Sequence, residues 1–153
     1  MRNTAVRGFV AGALAVGLIG AGCNDDEGDA GIGASELSKQ EWLVEANQAC
    51  KRADKTMNEE GRALFANGEP NEQEMRDFAV EVVVPAFRTT IEDIRALGAP
   101  AGDEALIEEL LTAQDEGTDR VAEDPLSIFE EDEPSKADRL AADYGLDSCG
   151  DTD

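Results

Sequence analysis

From Trp42 to Leu97 apolar residues recur at steps of three and four, a period that fits amphipathic helices and constrains this chain more than any other feature. The first stripe is Trp42, Ala46, Ala49, Cys50, Ala53, Met57 and Leu64, which predicts a helix over 39–65, roughly 40 Å long. Ser38 followed by Glu41 reads as a capping box at its start. Asn67, Gly68 and Pro70 break the pattern, and Asn71 with Glu74 offers a second box. A second stripe of similar length follows: Met75, Phe78, Ala79, Val82, Val83, Ala86, Phe87, Ile91, Ile94 and Leu97. Two long antiparallel helices are therefore expected. Pro85 lies inside the second and predicts a kink near 81–85, because its ring removes one donor and crowds the preceding turn. Val82, Val83 and Val84 read alternatively as a short strand, but no partner strand is evident.

The region 98–102, centred on Pro100, closes that helix, and Asp103 is placed to cap a third carrying Leu106, Ile107, Leu110, Leu111 and Val121. Gly117 should weaken its end. After Pro125 come Leu126, Ile128 and Phe129, then acids at 130–133 and Pro134. A last helix starts near Ser135, uses Ala137, Leu140, Ala141 and Tyr144, and stops at Gly145. The predicted fold is all-α, a bundle of about four helices over 38–150, with 151–153 as a disordered tail. There is no internal repeat and no glycine pattern of the nucleotide-binding kind.

Composition agrees with helix and removes several functions. Of 153 residues, 41% are apolar but only 5% aromatic, so the core must come mainly from Leu, Ile, Val and Ala. The net charge of −22, from 35 acids against 13 Lys and Arg, argues against nucleic acid or an anionic bilayer surface as an electrostatic partner. With no His there is no imidazole for acid–base work or metal ligation. No catalytic residue, no resident metal and no cofactor is assigned, and a non-enzymatic protein is expected.

Residues 1–22 read as an export signal. Arg2 and Arg7 give a positive start, 8–22 carry no charge, and Asn24, Asp25, Asp26 and Glu27 follow at once. The apolar run is short for a span, which takes about 20 residues, so cleavage is the better reading. Ile19, Gly20, Ala21, Gly22 and Cys23 resemble the lipobox of bacterial lipoproteins. That resemblance implies a diacylglyceryl group on the thiol of Cys23 and cleavage just before it. Gly20 stands where the motif prefers an aliphatic residue, with Ile19 one place early, which leaves ordinary cleavage and secretion as the alternative. Two acyl chains suffice for stable anchoring, at about 0.8 kcal/mol per buried CH₂. Residues 23–37, rich in glycine and acids, read as a flexible tether whose coil would span roughly 20 Å. The expected address is the extracytoplasmic face of the cell membrane, with the bilayer as partner through Cys23.

Once Cys23 is assigned to lipid, Cys50 and Cys149 remain as a pair in an exported chain, and a disulfide is the simplest outcome. Two sulfurs without His make a poor zinc site, and a catalytic thiol normally needs a base. A loop of that size stabilises by about 4 to 5 kcal/mol in the chain-entropy model.

Residues 42–50, Val84-Pro85-Ala86, 97–111 with Pro100 and Gly102, and Tyr144-Gly145-Leu146 leading to Cys149-Gly150 together resemble small secreted actinobacterial lipoproteins. The resemblance covers 42–150 loosely. It implies an envelope address, a helical domain and a pairing of one helix cysteine with one near the C-terminus, and it carries no activity or site residues.

Acidic clusters are the abundant functional chemistry, yet none has the alternating ligand spacing of a calcium loop. Solvated faces explain them better, with 130–133 the best place for a weak cation site. Paired acids for glycoside cleavage are the least favoured reading in a chain so rich in carboxylates. Trp42 and Tyr144 are candidates for a ligand pocket near the disulfide, although at helical spacing such residues more often belong to the core. Two functions stay open: a module that binds or scaffolds an envelope protein, and a carrier of a small molecule or cation. The carrier requires an internal pocket with convergent polar groups, and the scaffold requires a dry core with an exposed apolar patch.

Overall fold

The computed structural model describes residues 31–130 and 133–150. The expected leader 1–22, Cys23, the first part of the expected tether and the expected tail 151–153 lie outside the described residues. The described residues form an all-α bundle of four helical rods. Helix α1 is Lys39–Phe65, α2 is Glu72–Phe78, α3 is Val84–Ala96, α4 is Glu104–Glu123 and α5 is Lys136–Tyr144. A π turn, Ala79–Val83, joins α2 to α3 in one uninterrupted rod, and a 3₁₀ turn, Ser127–Phe129, precedes α5.

Local chemistry sets most of these ends. Ser38 with Glu41, Asn71 with Glu74, and Ser135 with Asp138 each form complete capping boxes, satisfying amides that a helix start leaves free. Gly145 ends α5 at φ 95°, a left-handed position that costs a glycine nothing.

Where a kink is expected near Pro85 the rod takes a π turn, in which the Val84 amide reaches back to the Ala79 carbonyl. Proline has no N–H for the carbonyl four residues earlier, and the wider turn accommodates that loss without ending the helix. The valines at 82–84 are therefore helical. In the third rod Gly117 is passed without fraying, because Thr118 and Val121 beyond it are buried and hold the last turn down.

Packing follows the chain: α1 lies on α3, α3 on α4, and α4 on α5. The main core joins Trp42, Ala46, Ala49 and Cys50 of α1 to Ile91 and Ile94 of α3, Ile107, Leu110 and Leu111 of α4, and Ala141 and Tyr144 of α5. A smaller cluster of Ala79, Val84 and Val121, with Ile128 against it, lies apart from the first. Surface ion pairs cross each successive interface: Arg52–Asp93 at 2.7 Å, Arg95–Asp115 at 2.9 Å and Lys136–Glu109 at 3.0 Å. Exposed pairs of this kind contribute about 0 to 1 kcal/mol each.

The folded part starts earlier than expected. Residues 31–37, read above as the end of the tether, dock on the loop between α3 and α4. Ala34 and Ala99 form a parallel bridge, with Ser35 N–H donating to the Ala99 carbonyl at 2.7 Å and Ala99 N–H to the Gly33 carbonyl at 2.8 Å. Ile32 N–H donates to Glu108 Oε2 at 3.2 Å, while Ile32 and Leu37 pack on the main core. Ile32 and Leu37 are enough to seat it, so residues 31–37 belong to the folded part.

Candidate functional site

Cys50 and Cys149 form the expected disulfide, with Cα atoms 5.1 Å apart and 99 residues between them in sequence. The bridge ties the chain beyond α5 to the middle of α1. Asn47 completes this corner. Its Nδ2 donates to the Gly145 carbonyl at 3.2 Å, and its Oδ1 accepts from the Ser148 amide at 2.9 Å.

Trp42 and Tyr144 are brought together, but as core. Their rings meet edge to face, centroids 5.6 Å apart and planes at 88°. Trp42 is fully buried and its Nε1 donates to the Gly98 carbonyl at 2.6 Å. The Tyr144 hydroxyl donates to Asp103 Oδ2 at 2.7 Å, and Lys39 Nζ sits 3.0 Å from the same oxygen and 4.1 Å from the centre of the tyrosine ring. Both aromatics belong to the main core, as a packed pair whose polar atoms are both spent. Asp103 is corrected with it: its side chain makes no cap for α4 and instead receives Tyr144 and Lys39. The Tyr144 hydrogen bond, then the Lys39 ammonium, hold the Asp103 carboxyl below its usual range. Burial, followed by the Asp103 carboxylate, pushes the Tyr144 phenol well above its usual range.

A cavity among the described residues has Cys149 of the disulfide on its wall. A cleft of about 690 Å³ opens where the two core clusters fail to merge, with Ile91 of the main core and Val121 of the smaller one on its wall. Met57, Phe87 and Ile128 extend the apolar surface, and Ala137 and Cys149 close the side formed by α5 and the chain after it. Small residues keep it open. At Gly117 a β-carbon would meet nothing nearer than Arg120 Nη2 at 3.8 Å.

Polar side chains share the lining. The Thr90 hydroxyl donates to the Ala86 carbonyl and that of Thr118 to the Gln114 carbonyl, each within its own helix. Gln114 differs: its Oε1 is buried with no hydrogen-bond partner. A buried acceptor left in that condition costs free energy that a donor would recover. Asp54, Glu133 and Asp138 stand around the cleft with a single cation, Arg120.

A second, shallower groove of about 570 Å³ runs between α1 and the α2–α3 rod, beside the π turn. The Arg52–Asp93 pair belongs to its lining. Among the described residues no group of three or more acids or cysteines is placed to hold a metal ion. The acids at 130–133 are only partly described; Glu130 and Glu133 are exposed. No helix among the described residues is long and apolar enough to cross a membrane.

Sequence reasoning missed the cleft. Its best signal was the run of small or polar residues Gln114, Gly117 and Thr118 on the inner side of α4, where a continuous apolar stripe would have filled the space.

Comparison with known proteins finds no matching family model, no matching curated protein and no matching solved structure.

Proposed function

We propose that this chain is a non-enzymatic, extracytoplasmic lipoprotein that binds a small molecule in the cleft between α1, α3, α4 and α5. The observation that carries the reading is a cleft of about 690 Å³ whose wall combines Met57, Phe87, Ile91, Val121 and Ile128 with several polar side chains. Sites for small molecules are concave, mostly apolar and furnished with a few placed polar groups, and a volume of this order lies in their usual range. The scaffold reading has weaker support, since of the exposed large apolar residues Val44 and Phe65 lie near opposite ends of α1 and Val80, Leu106 and Phe129 fall on three other elements. The address rests on the lipobox-like segment ending at Cys23.

Nile red, a neutral dye that brightens in apolar sites, tests the cleft. Binding near one dye per chain is expected, and Gly117→Leu, which places a branched side chain in the cleft, should abolish it while the far-ultraviolet circular dichroism is unchanged. Equal dye binding by the variant would defeat the assignment. For the address, Cys23→Ala should prevent labelling by a radioactive fatty acid and release the protein from membranes; unchanged retention would remove the anchor.

A further inference from the structure

The docked segment 31–37 limits how far the bundle can stand from an anchor at Cys23, a limit that rests on the anchor reading and is independent of the cleft. Its attachment has several parts. Ile32 and Leu37 pack on the main core, the Ala34–Ala99 bridge ties the backbone to the loop between α3 and α4, and Glu108 Oε2 accepts from the Ile32 amide. The loop is shaped for this contact: Gly98 leaves no room for a β-carbon against Gly33 and Ser35, while its carbonyl receives Trp42 Nε1 from the start of α1. Residues 31–37 are thus fixed to the end of the bundle where α1 begins, α3 ends and α4 begins.

A peptide leash has a hard upper length. Residues 24–30 separate Cys23 from Gly31 in the sequence, eight Cα steps that span at most about 29 Å. Were 31–37 free, the first fixed residue would be Ser38, the cap of α1, and fifteen steps would span at most about 54 Å. Docking therefore nearly halves the reach. A chain of net charge −22 is repelled by anionic lipid, so a longer leash lets the bundle move further out.

We propose that residues 31–37 form a strap that shortens the anchor's reach and holds the α3–α4 loop end of the bundle close to the bilayer, against electrostatic repulsion from anionic lipid.

Trp42, the single tryptophan of the chain, lies at that end and reports its distance from the membrane. The test places the purified chain with its acyl groups in phosphatidylcholine–phosphatidylglycerol vesicles holding a dansyl-headgroup lipid, and reads energy transfer from Trp42. Two variants lengthen the leash by different means. Ile32→Ser with Leu37→Ser frees the strap, whereas seven Gly and Ser residues inserted between Ala30 and Gly31 leave it docked. Each should lower the transfer roughly twofold or more in about 10 mM salt, since the permitted reach nearly doubles. The loss should shrink in about 1 M salt, where screening acts within about 3 Å. The insertion alters no contact of the folded part, so it decides the matter if the double variant loses its helical circular dichroism. Transfer equal to the parent's in a folded double variant, or in the insertion variant, would overturn the strap while the acyl groups, seen by intact mass, keep the anchor. A mature chain whose mass shows no acyl group would overturn both.

Discussion

At the residue scale the most consequential contacts surround Gly98. Its φ of 67° is left-handed, and a β-carbon there would lie 2.7 Å from the Gly33 carbonyl oxygen and 2.9 Å from the Ser35 nitrogen. Neither atom is a flexible side-chain tip, so Gly98→Ala should strain the turn and dislodge residues 31–37 together. The expected cost exceeds about 1 kcal/mol, read as a lower urea midpoint accompanied by faster proteolysis near Ala34. Asp103 and Tyr144 make a second test, helped by Tyr144 being the single tyrosine of the chain. With its carboxyl held low, Asp103 stabilises the fold fully above the ordinary aspartate value of 3.8 and loses that contribution as pH falls through its lowered value. For Tyr144 the sign is opposite: its contribution is complete below 10.0 and is lost only as pH rises through its raised value. Asp103→Asn removes the negative neighbour, so the phenol should ionise at lower pH in a 295 nm absorbance titration. An unchanged titration would mean that burial alone holds it.

Among the elements, α5 is short and buries only Ala137, Ala141 and Tyr144. It spans Lys136–Tyr144, its main helical neighbour is α4, and its link to α1 comes through the disulfide, the Trp42–Tyr144 contact and Asn47. A closed loop of this length constrains the unfolded chain strongly, by about 4 to 5 kcal/mol in the entropy model, and measured losses are typically about 2 to 5. Cys50→Ala with Cys149→Ala should therefore lower stability by about 2 to 4 kcal/mol, measured by denaturant unfolding. Hydrogen exchange in α5 should rise before that in α1 or α3. Because Cys149 and Ala137 wall the cleft, the same variant should also bind Nile red more weakly. Gly117→Ala acts in the other direction. The position is helical, has no positive φ and has room for a methyl group, so a gain of about 0.5 to 1 kcal/mol is expected.

Across the whole molecule the dominant long-range effect is self-repulsion. The 35 acids outnumber the 13 Lys and Arg, and the ion pairs between helices are solvent-exposed. Unfolding lets like charges move apart, and salt screens them over roughly 10 Å at 0.1 M. Raising sodium chloride from low concentration to about half molar, where screening is shorter still, should therefore raise the melting temperature. A fall would show that the interhelical pairs outweigh the repulsion.

Helix positions, caps and the buried face were legible in the amino-acid order because each depends on residues three or four apart: Ser38 with Glu41, Asn71 with Glu74, Trp42 with Ala46 and Ala49, Ile91 with Ile94. The disulfide was legible from cysteine parity together with the expected export. What Asp103 does with its carboxylate was decided only when α5 brought Tyr144 and α1 brought Lys39 to it. The docking of residues 31–37 likewise depends on the backbone at Ala99, and the cleft depends on two core clusters from distant parts of the chain stopping short of each other. Periodicity records which side of a helix avoids water. It does not record how completely the facing side chains fill the space between helices, and that volume exists only once the rods are assembled.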